Sequence, residues 1–437
     1  MSKLGGQVRT GRRRMPGNGG VPKARLLILV GVLLLGLSAG ALLIRQLSIP
    51  PFPPAFNVKD AGARGDGITD DTAAFMRVLR QAAAGGRTAV VDVPPGSYLL
   101  SLDEPLPLLS GVTLRGQGRP VLKFRPLSAA RYGFEAVSVF GRRIRIEGIV
   151  IDGGGRLTRG IGVHAGSTDV RIAGSVVQHL SQPEDPHNPL YSTVVAGIMI
   201  YGDTSGISIR GCTVTGISAR QGTPVARGIM AWSEPGRTIA RNVTIAGNVI
   251  SHITPREDAD GIFFDKPPEP SPLSRSVIEG NIIHHAAKRA IKISAPGVAV
   301  KNNRIVNPYS GDNRYLTAPK DPLPQDMYAA ISIYADEVVV SGNIIGGKGS
   351  YYAAIEADAG PLSDIVIENN VIEGGPAVPA RNTSGIRLGE VRGFRVTGNA
   401  IGRVETGIRL SDEAKAAIRD GTGTVADNTP EPAEGGG

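Results

Sequence analysis

The chain has 437 residues, 48 of them Lys or Arg and 39 Asp or Glu, for a formal net charge of +9, and it contains one cysteine. A single cysteine excludes an internal disulfide. The first 49 residues hold eight of the basic residues and no acid, so the remainder carries 40 against 39, about +1; the excess charge marks topology, and no nucleic-acid partner is expected from it.

Residues 1–25 carry seven Lys or Arg, and Leu26 to Ile44 follow as 19 uncharged, mostly aliphatic residues. A run of that length spans a bilayer. The alternatives are a cleaved signal peptide, against which the long basic lead and long apolar run argue, and a buried helix, against which the turn-forming residues downstream argue. The chain therefore divides into a basic cytoplasmic tail (1–25), a transmembrane anchor (26–45), a proline-rich linker (46–55), a repeat domain (56–428) and a flexible tail (429–437). Only Arg45 and Lys59 follow the span closely, so the amino terminus is expected in the cytoplasm and the repeat domain outside it, periplasmic or at the cell surface.

The repeat domain opens on Asp60-Ala61-Gly62-Ala63-Arg64-Gly65-Asp66-Gly67-Ile68-Thr69-Asp70-Asp71-Thr72, followed by Val91-Asp92-Val93-Pro94-Pro95-Gly96-Ser97-Tyr98 and Leu109-Ser110-Gly111-Val112-Thr113-Leu114-Arg115-Gly116. These segments resemble the entry of the pectate-lyase-like superfamily of right-handed β-helices, which includes polygalacturonases, other polysaccharide-active enzymes and phage tailspike domains. The resemblance implies the fold and says little about the reaction, because this fold hosts many chemistries. Asp70 or Asp71 is expected to cap a helix from Thr72 to about Ala84, with Phe75, Val78 and Leu79 at helical spacing, that plugs the amino end of the solenoid.

From Gly160 to Leu410 a phrase, Gly or Ala followed by Ile-x-hydrophobic, recurs nine times, as in Gly197-Ile198-Met199-Ile200-Tyr201 and Gly261-Ile262-Phe263-Phe264-Asp265. The shortest spacing, 22 residues from Gly385 to Gly407, is one coil of a parallel β-solenoid. No coil buries its apolar face alone, so the copies must stack. The predicted architecture is all-β, a right-handed parallel β-helix with an N-terminal capping helix, preceded by one transmembrane helix. Asn248, Asn281 and Asn343 follow glycines between strands and are read as a structural ladder at a corner that needs a left-handed residue. Cys212 sits in a strand-like run as a small core residue.

Spacings of 37, 31, 33 and 40 residues between early copies place long loops beside the Gly-Ile strand, in 181–193, 215–226, 233–240, 266–274 and 307–327. Loops on one side of a regular solenoid are the walls of a cleft. Stacking puts the outward residues in columns, and these bring Tyr201, Trp232, Phe263 and Tyr334 into a row suited to sugar C–H faces. The alternative is that loops cover the row as a satellite core. Asp260 falls between Arg227 and Arg289, which makes it a poor general acid and leaves Arg227, Arg289 and Lys292 to neutralise a substrate carboxylate; a salt-bridge ladder is the competing reading.

Asp258-Ala259-Asp260-Gly261-Ile262 resembles the Asn-Thr-Asp-Gly motif of polygalacturonases, and Arg289-Ala290-Ile291-Lys292 their Arg-Ile-Lys motif. The first Asn is Asp258 here, and no Asp-Asp or Gly-His-Gly lies between the two. Asp185-Pro186-His187 resembles the Asp-Pro-His motif of mannuronan C5-epimerases, in which the Asp and His are catalytic, but it falls in a loop here. The sequence thus predicts an enzyme, a hydrolase or lyase acting on an exported polysaccharide, with a uronan C5-epimerase or a non-catalytic glycan binder as alternatives. Asp260, Asp265, Lys292 and Arg289 are the expected catalytic groups. Tyr201, Arg227, Trp232, Phe263, Tyr334, Glu356, Asp358 and His187 are the expected substrate contacts. Neither a metal cluster nor a nucleotide loop appears in the sequence, so no cofactor is expected; an aspartate-bound Ca²⁺ in the groove is the alternative left open, as is the oligomeric state.

Overall fold

The computed structural model describes residues 53–430 apart from 87, 102–103, 126–130, 221–224, 255–257, 307–328, 347–352, 374–383 and 403. The basic tail, the anchor over 26–45 and the linker up to residue 52 lie outside the described residues, as do 431–437. Among the described residues no helix is long and apolar enough to cross a membrane.

The strands form three long parallel sheets of 13, 13 and 11 strands, in which each strand pairs with its counterpart one coil away, and a short two-stranded one, Leu362–Ser363 with Val391–Arg392. This is the parallel β-helix that the repeats predict. The Gly-Ile strands make up most of the third sheet, with Ile161, Ile198, Ile229, Ile262, Ile291, Ile331, Ile355, Ile386 and Ile408 stacked in register. All but the terminal Ile408 belong to the fully buried central core. A tenth copy, Ala136-Val137-Ser138-Val139-Phe140, precedes them, since Val137 pairs with Ile161 and Ser138 with Gly162. It carries neither Gly nor Ile, which hid it from the repeat pattern.

One irregularity decides which side chains face outward. Strict alternation would put Arg227 on the same side as Ile229, yet Arg227 pairs with Asp260 and Ile229 with Ile262 while Gly228 and Gly261 drop out of the register. The dropped residue points inward: a Cβ at Gly228 would strike Ile250, and one at Gly261 would strike Ile283. Where alanine stands there instead, as Ala290, Ala330 and Ala354, it lies in the central core. The preceding residue is thereby turned outward, beside the third and fifth positions. This bulge-like step is what recruits Arg159, Arg227, Asp260 and Arg289 to the outer face.

The asparagine ladder runs through Asn248, Asn281, Asn303, Asn343, Asn370, Asn399 and Asn428; each Oδ1 after the first accepts the backbone N–H and side-chain amide of the asparagine one coil before, over 2.8–3.0 Å, and that of Asn248 accepts the Cys212 N–H. The left-handed residue of the corner is the one before the asparagine, Gly247, Gly280, Asn302, Gly342, Asn369, Gly398 or Asp427. Asn281→Ala strips partners from Asn248, Asn303 and the Ile245 carbonyl at once. Unfolding in denaturant is expected to show a loss of about 1–3 kcal/mol for each group left without a partner.

At the amino end the helix Thr72–Ala84 buries Phe75, Val78 and Leu79, and Phe75 meets Tyr98 edge-on at 5.3 Å. Asp71 stands at its N-cap position without capping it; its carboxylate accepts the N–H groups of Arg64 and Gly65, and Asp70 accepts that of Thr72. A second helix, Asp412–Arg419, packs at the carboxyl end, capped by Ser411 and burying Ala414 and Ala417. The sequence reading had no helix there. Cys212 is buried, as expected.

Candidate active site on the third sheet

The outer face of the third sheet carries a largely buried ionic layer. Asp260 lies between Arg289 (3.1 Å) and Arg227 (3.4 Å), and Asp258 reaches Arg227 at 2.9 Å and Lys288 and Arg289 at 3.8 Å. Asp260 and Arg289 are 0% exposed and Arg227 3%. The expected sandwich is therefore present, but it is sealed. Phe263 covers the Arg227 guanidinium at 4.9 Å and Tyr334 that of Arg289 at 5.9 Å. Asp260, Arg289 and Arg227, expected to touch substrate, instead form the foundation beneath it, because rings from neighbouring coils close over them.

Above this layer sit the groups that reach water. The Lys292 ammonium lies 5.0 Å from the Phe263 ring and 5.1 Å from that of Tyr334. Burial pushes its amine below the ordinary lysine range, and the nearby Arg289 and Arg227 add to the effect. Asp265, a diagonal neighbour one coil away, goes the other way: burial pushes its carboxyl up, despite hydrogen bonds from the backbone N–H groups of Lys266 and Ser233. For Asp258 burial opposes ionisation, but Arg227, Lys288 and Lys292 outweigh it and hold the carboxyl below its usual range.

Toward the carboxyl end, Tyr334, Glu356, Asp358, Gly389, Glu390 and Glu413 line a pocket of about 470 Å³. Glu356 accepts from Ser332 at 2.6 Å, and Asp358 is held by Arg387. Toward the amino end the aromatic row differs from the expectation. Tyr201 and Phe263 are only 5% and 6% exposed and pack with Ala196, Met199 and Met230 in a second apolar cluster, separate from the central core. Trp232 and Tyr334 remain partly open. The row is thus largely the satellite layer that was the alternative, built because the bulge-like step turns Ala196 outward to meet Met199 and Met230.

The family described as rhamnogalacturonase A/epimerase, pectate lyase-like, matches residues 55–313, well over half of the chain. The chain belongs to this family. Among curated relatives of this rhamnogalacturonase A/epimerase-family protein, the SPbeta prophage-derived protein YomE of Bacillus subtilis (strain 168) is 24% identical over 301 residues, covering 67% of this chain and 44% of its own length. Mannuronan C5-epimerase AlgE6 of Azotobacter vinelandii is 40% identical over 94 residues, 20% of this chain and 10% of the epimerase. The chain thus spans less than half the length of these relatives. PfbA, a surface adhesin of Streptococcus pneumoniae, shares the fold, with a TM-score of 0.57 at 19% identity over 86% of this chain and 89% of its own.

Not every expected residue of the family member joins the site. His187 lies exposed in a turn where the Asp185 carboxylate accepts the His187 backbone N–H. Among the described residues no hydrogen bond, ion pair or ring contact joins its side chain to the third sheet. No group of three or more His, Cys, Asp or Glu side chains that could hold a metal occurs among the described residues. A polar cluster outside the expected set is Glu135, which accepts from Ser138 and bonds His164 at 2.8 Å, with Arg159 donating to Tyr201 on the next coils. Glu135 belongs to the tenth copy, so only its place before Ala136-Val137 could have revealed it.

Proposed function

We propose that this rhamnogalacturonase A/epimerase-family protein is a polysaccharide lyase acting on an exported, uronic-acid-containing glycan, and that residues 26–45 tether it to the membrane with the β-helix outside. The observation that carries the reading is the pairing of Lys292 and Asp265, neighbours whose surroundings push an amine down and a carboxyl up. Opposed shifts of this kind mark a base and an acid. Lys292 Nζ takes the proton from C5 of a uronate, the electron pair forms the C4–C5 double bond, the C4–O bond breaks, and Asp265 protonates the departing oxygen. Three cations besides Lys292, namely Arg227, Lys288 and Arg289, face Asp258, Asp260 and a carboxyl of Asp265 that burial biases toward neutrality. The excess positive field supports an anionic substrate.

A second reading rests on the pocket of about 470 Å³, where Glu356 stands on the strand Ala353–Ala357 and Asp358, two residues on, just past its end. That is about 7 Å, within the carboxyl spacing of inverting glycosidases. Incubating the purified chain with polygalacturonate, alginate and a neutral glucan separates the two. New unsaturated ends, read by ultraviolet absorbance on a uronan, are the expected result. New reducing ends without unsaturation move the reaction to Glu356 and Asp358, and altered C5 configuration at unchanged length makes the protein an epimerase. No change in any polymer overturns the enzymatic reading.

A further inference from the structure

Away from the third sheet, four successive strands of one 13-stranded sheet, Val176–Ser181, Thr213–Ser218, Val249–Thr254 and Ile282–Ala286, break strict alternation. Their core residues are Val177 and Leu180, Val214 and Ile217, Ile250 and Ile253, and Ile283 and Ala286, stacked in register in the central core. Two residues, not one, stand between the members of each pair. The second of the two takes a left-handed backbone: His179 (φ 55°), Gly216 (66°), His252 (54°) and His285 (54°). The extra residue turns both outward, so that neighbours in sequence share a face. In the last of these coils the residue beside the column, His284, is a histidine as well. Three of the chain's six histidines, His252, His284 and His285, therefore meet on one outer face, with ring centroids 5.0 to 5.7 Å apart.

Within this group His284 Nδ1 and His285 Nδ1 lie 2.8 Å apart, and the His252 ring stacks on that of His285, 5.0 Å away and 2° from parallel. His252 Nδ1 faces the Thr215 hydroxyl at 3.4 Å, and Thr215 accepts from Ser251, so the ring that backs His285 is itself held. His179, two coils before His252, has the Asp152 carboxylate at 3.1 Å. Among the described residues no carboxylate pairs with His252, His284 or His285. Burial, and then the neighbouring His285 and His252, push the His284 imidazole below the ordinary histidine range. The group is thus kept neutral, the form in which imidazole binds a metal. One proton is shared between the two Nδ1 atoms; once it moves to Nε2, both lone pairs face the same point.

We infer that the Nδ1 atoms of His284 and His285 form a two-nitrogen site for a divalent copper or nickel ion. Bonds of about 2.0 Å to two nitrogens at the observed separation meet at about 90°, the angle between neighbouring ligands in a tetragonal or octahedral ion, whereas a tetrahedral ion sets them about 3.3 Å apart. The geometry favours Cu²⁺ and Ni²⁺ over Zn²⁺. Among the described residues no third His, Cys, Asp or Glu converges on the pair, so water takes the remaining positions, and both side chains are open enough to admit it. His252 positions the His285 ring and is not a ligand. The site lies on a different sheet from Lys292 and Asp265 and does not depend on the reaction read there.

The test titrates Cu²⁺, Ni²⁺ and Zn²⁺ into the full chain near neutral pH by calorimetry, and reads the Cu²⁺ form by electron paramagnetic resonance for its nitrogen couplings. Wild type is expected to bind one Cu²⁺ through two imidazole nitrogens, and Zn²⁺ more weakly. His284→Ala and His285→Gly are each expected to weaken Cu²⁺ binding by about tenfold or more. Glycine is chosen at 285 because it keeps the left-handed turn, and a single cooperative melting transition checks that each variant folds. His252→Phe keeps the stacked ring without its nitrogens and is expected to bind as wild type does. Binding that survives undiminished in both His284→Ala and His285→Gly overturns the site, as does a wild type that binds none of the three ions. Zn²⁺ held more tightly than Cu²⁺, or a loss in His252→Phe equal to that in His284→Ala, overturns the two-nitrogen geometry.

Discussion

Lys292→Ala is expected to lower kcat/KM on a cleavable uronan by about 100-fold to 10,000-fold, the usual contribution of a positioned base, with the melting transition preserved. Lys292→Arg is expected to do nearly as badly, because a guanidinium stays protonated across the working range. The pH profile gives the sign. Turnover needs Lys292 neutral and Asp265 protonated, so activity falls on the acid side as Lys292 protonates with no further gain from Asp265, and on the alkaline side as Asp265 loses the last of its proton. Burial moves the carboxyl up and the amine down, so the two limbs lie closer together than ordinary values near 4 and about 10.4 would place them. Each unit by which they approach raises the correctly protonated fraction about tenfold. A profile with limbs at the ordinary values, or full activity in Lys292→Ala, removes the base from this site.

Asp260→Ala is expected to cost about 3–5 kcal/mol of stability in reversible unfolding, the largest loss from any single carboxylate here. The substitution leaves Arg227 and Arg289, 3% and 0% exposed, without the carboxylate between them. Asp258 cannot replace it, since it sits at 3.8 Å from Arg289 and already holds Arg227 and Lys288. A double variant, Asp260→Ala with Arg289→Met, is expected to recover part of the loss by removing one of the two buried cations. If Asp260→Ala folds as stably as wild type yet loses turnover, Asp260 works on the substrate and the sealed layer is misread.

Much of this was legible in the chain. Stacking in register follows from the repeated Ile and from the 22-residue minimum spacing, and with it came the columns that bring Arg227, Asp260 and Arg289 together. The asparagine ladder was visible as well, at Asn248, Asn281 and Asn343. The tenth copy was not visible, because Ala136 and Val137 break the Gly-Ile phrase while keeping its geometry.

The sequence alone determined the parallel β-helix and the set of residues that share a wall, because both depend on periodicity, which is a property of spacing. Depth is different. Whether Asp260 meets solvent or lies under Phe263 and Tyr334 depends on the reach of side chains from neighbouring coils. Which face Arg227 takes depends on Gly228 leaving the register because its position abuts Ile250. Only the tertiary structure decides these, since each is settled by contacts between residues far apart in the chain, and alternation along one strand carries no information about what closes over it.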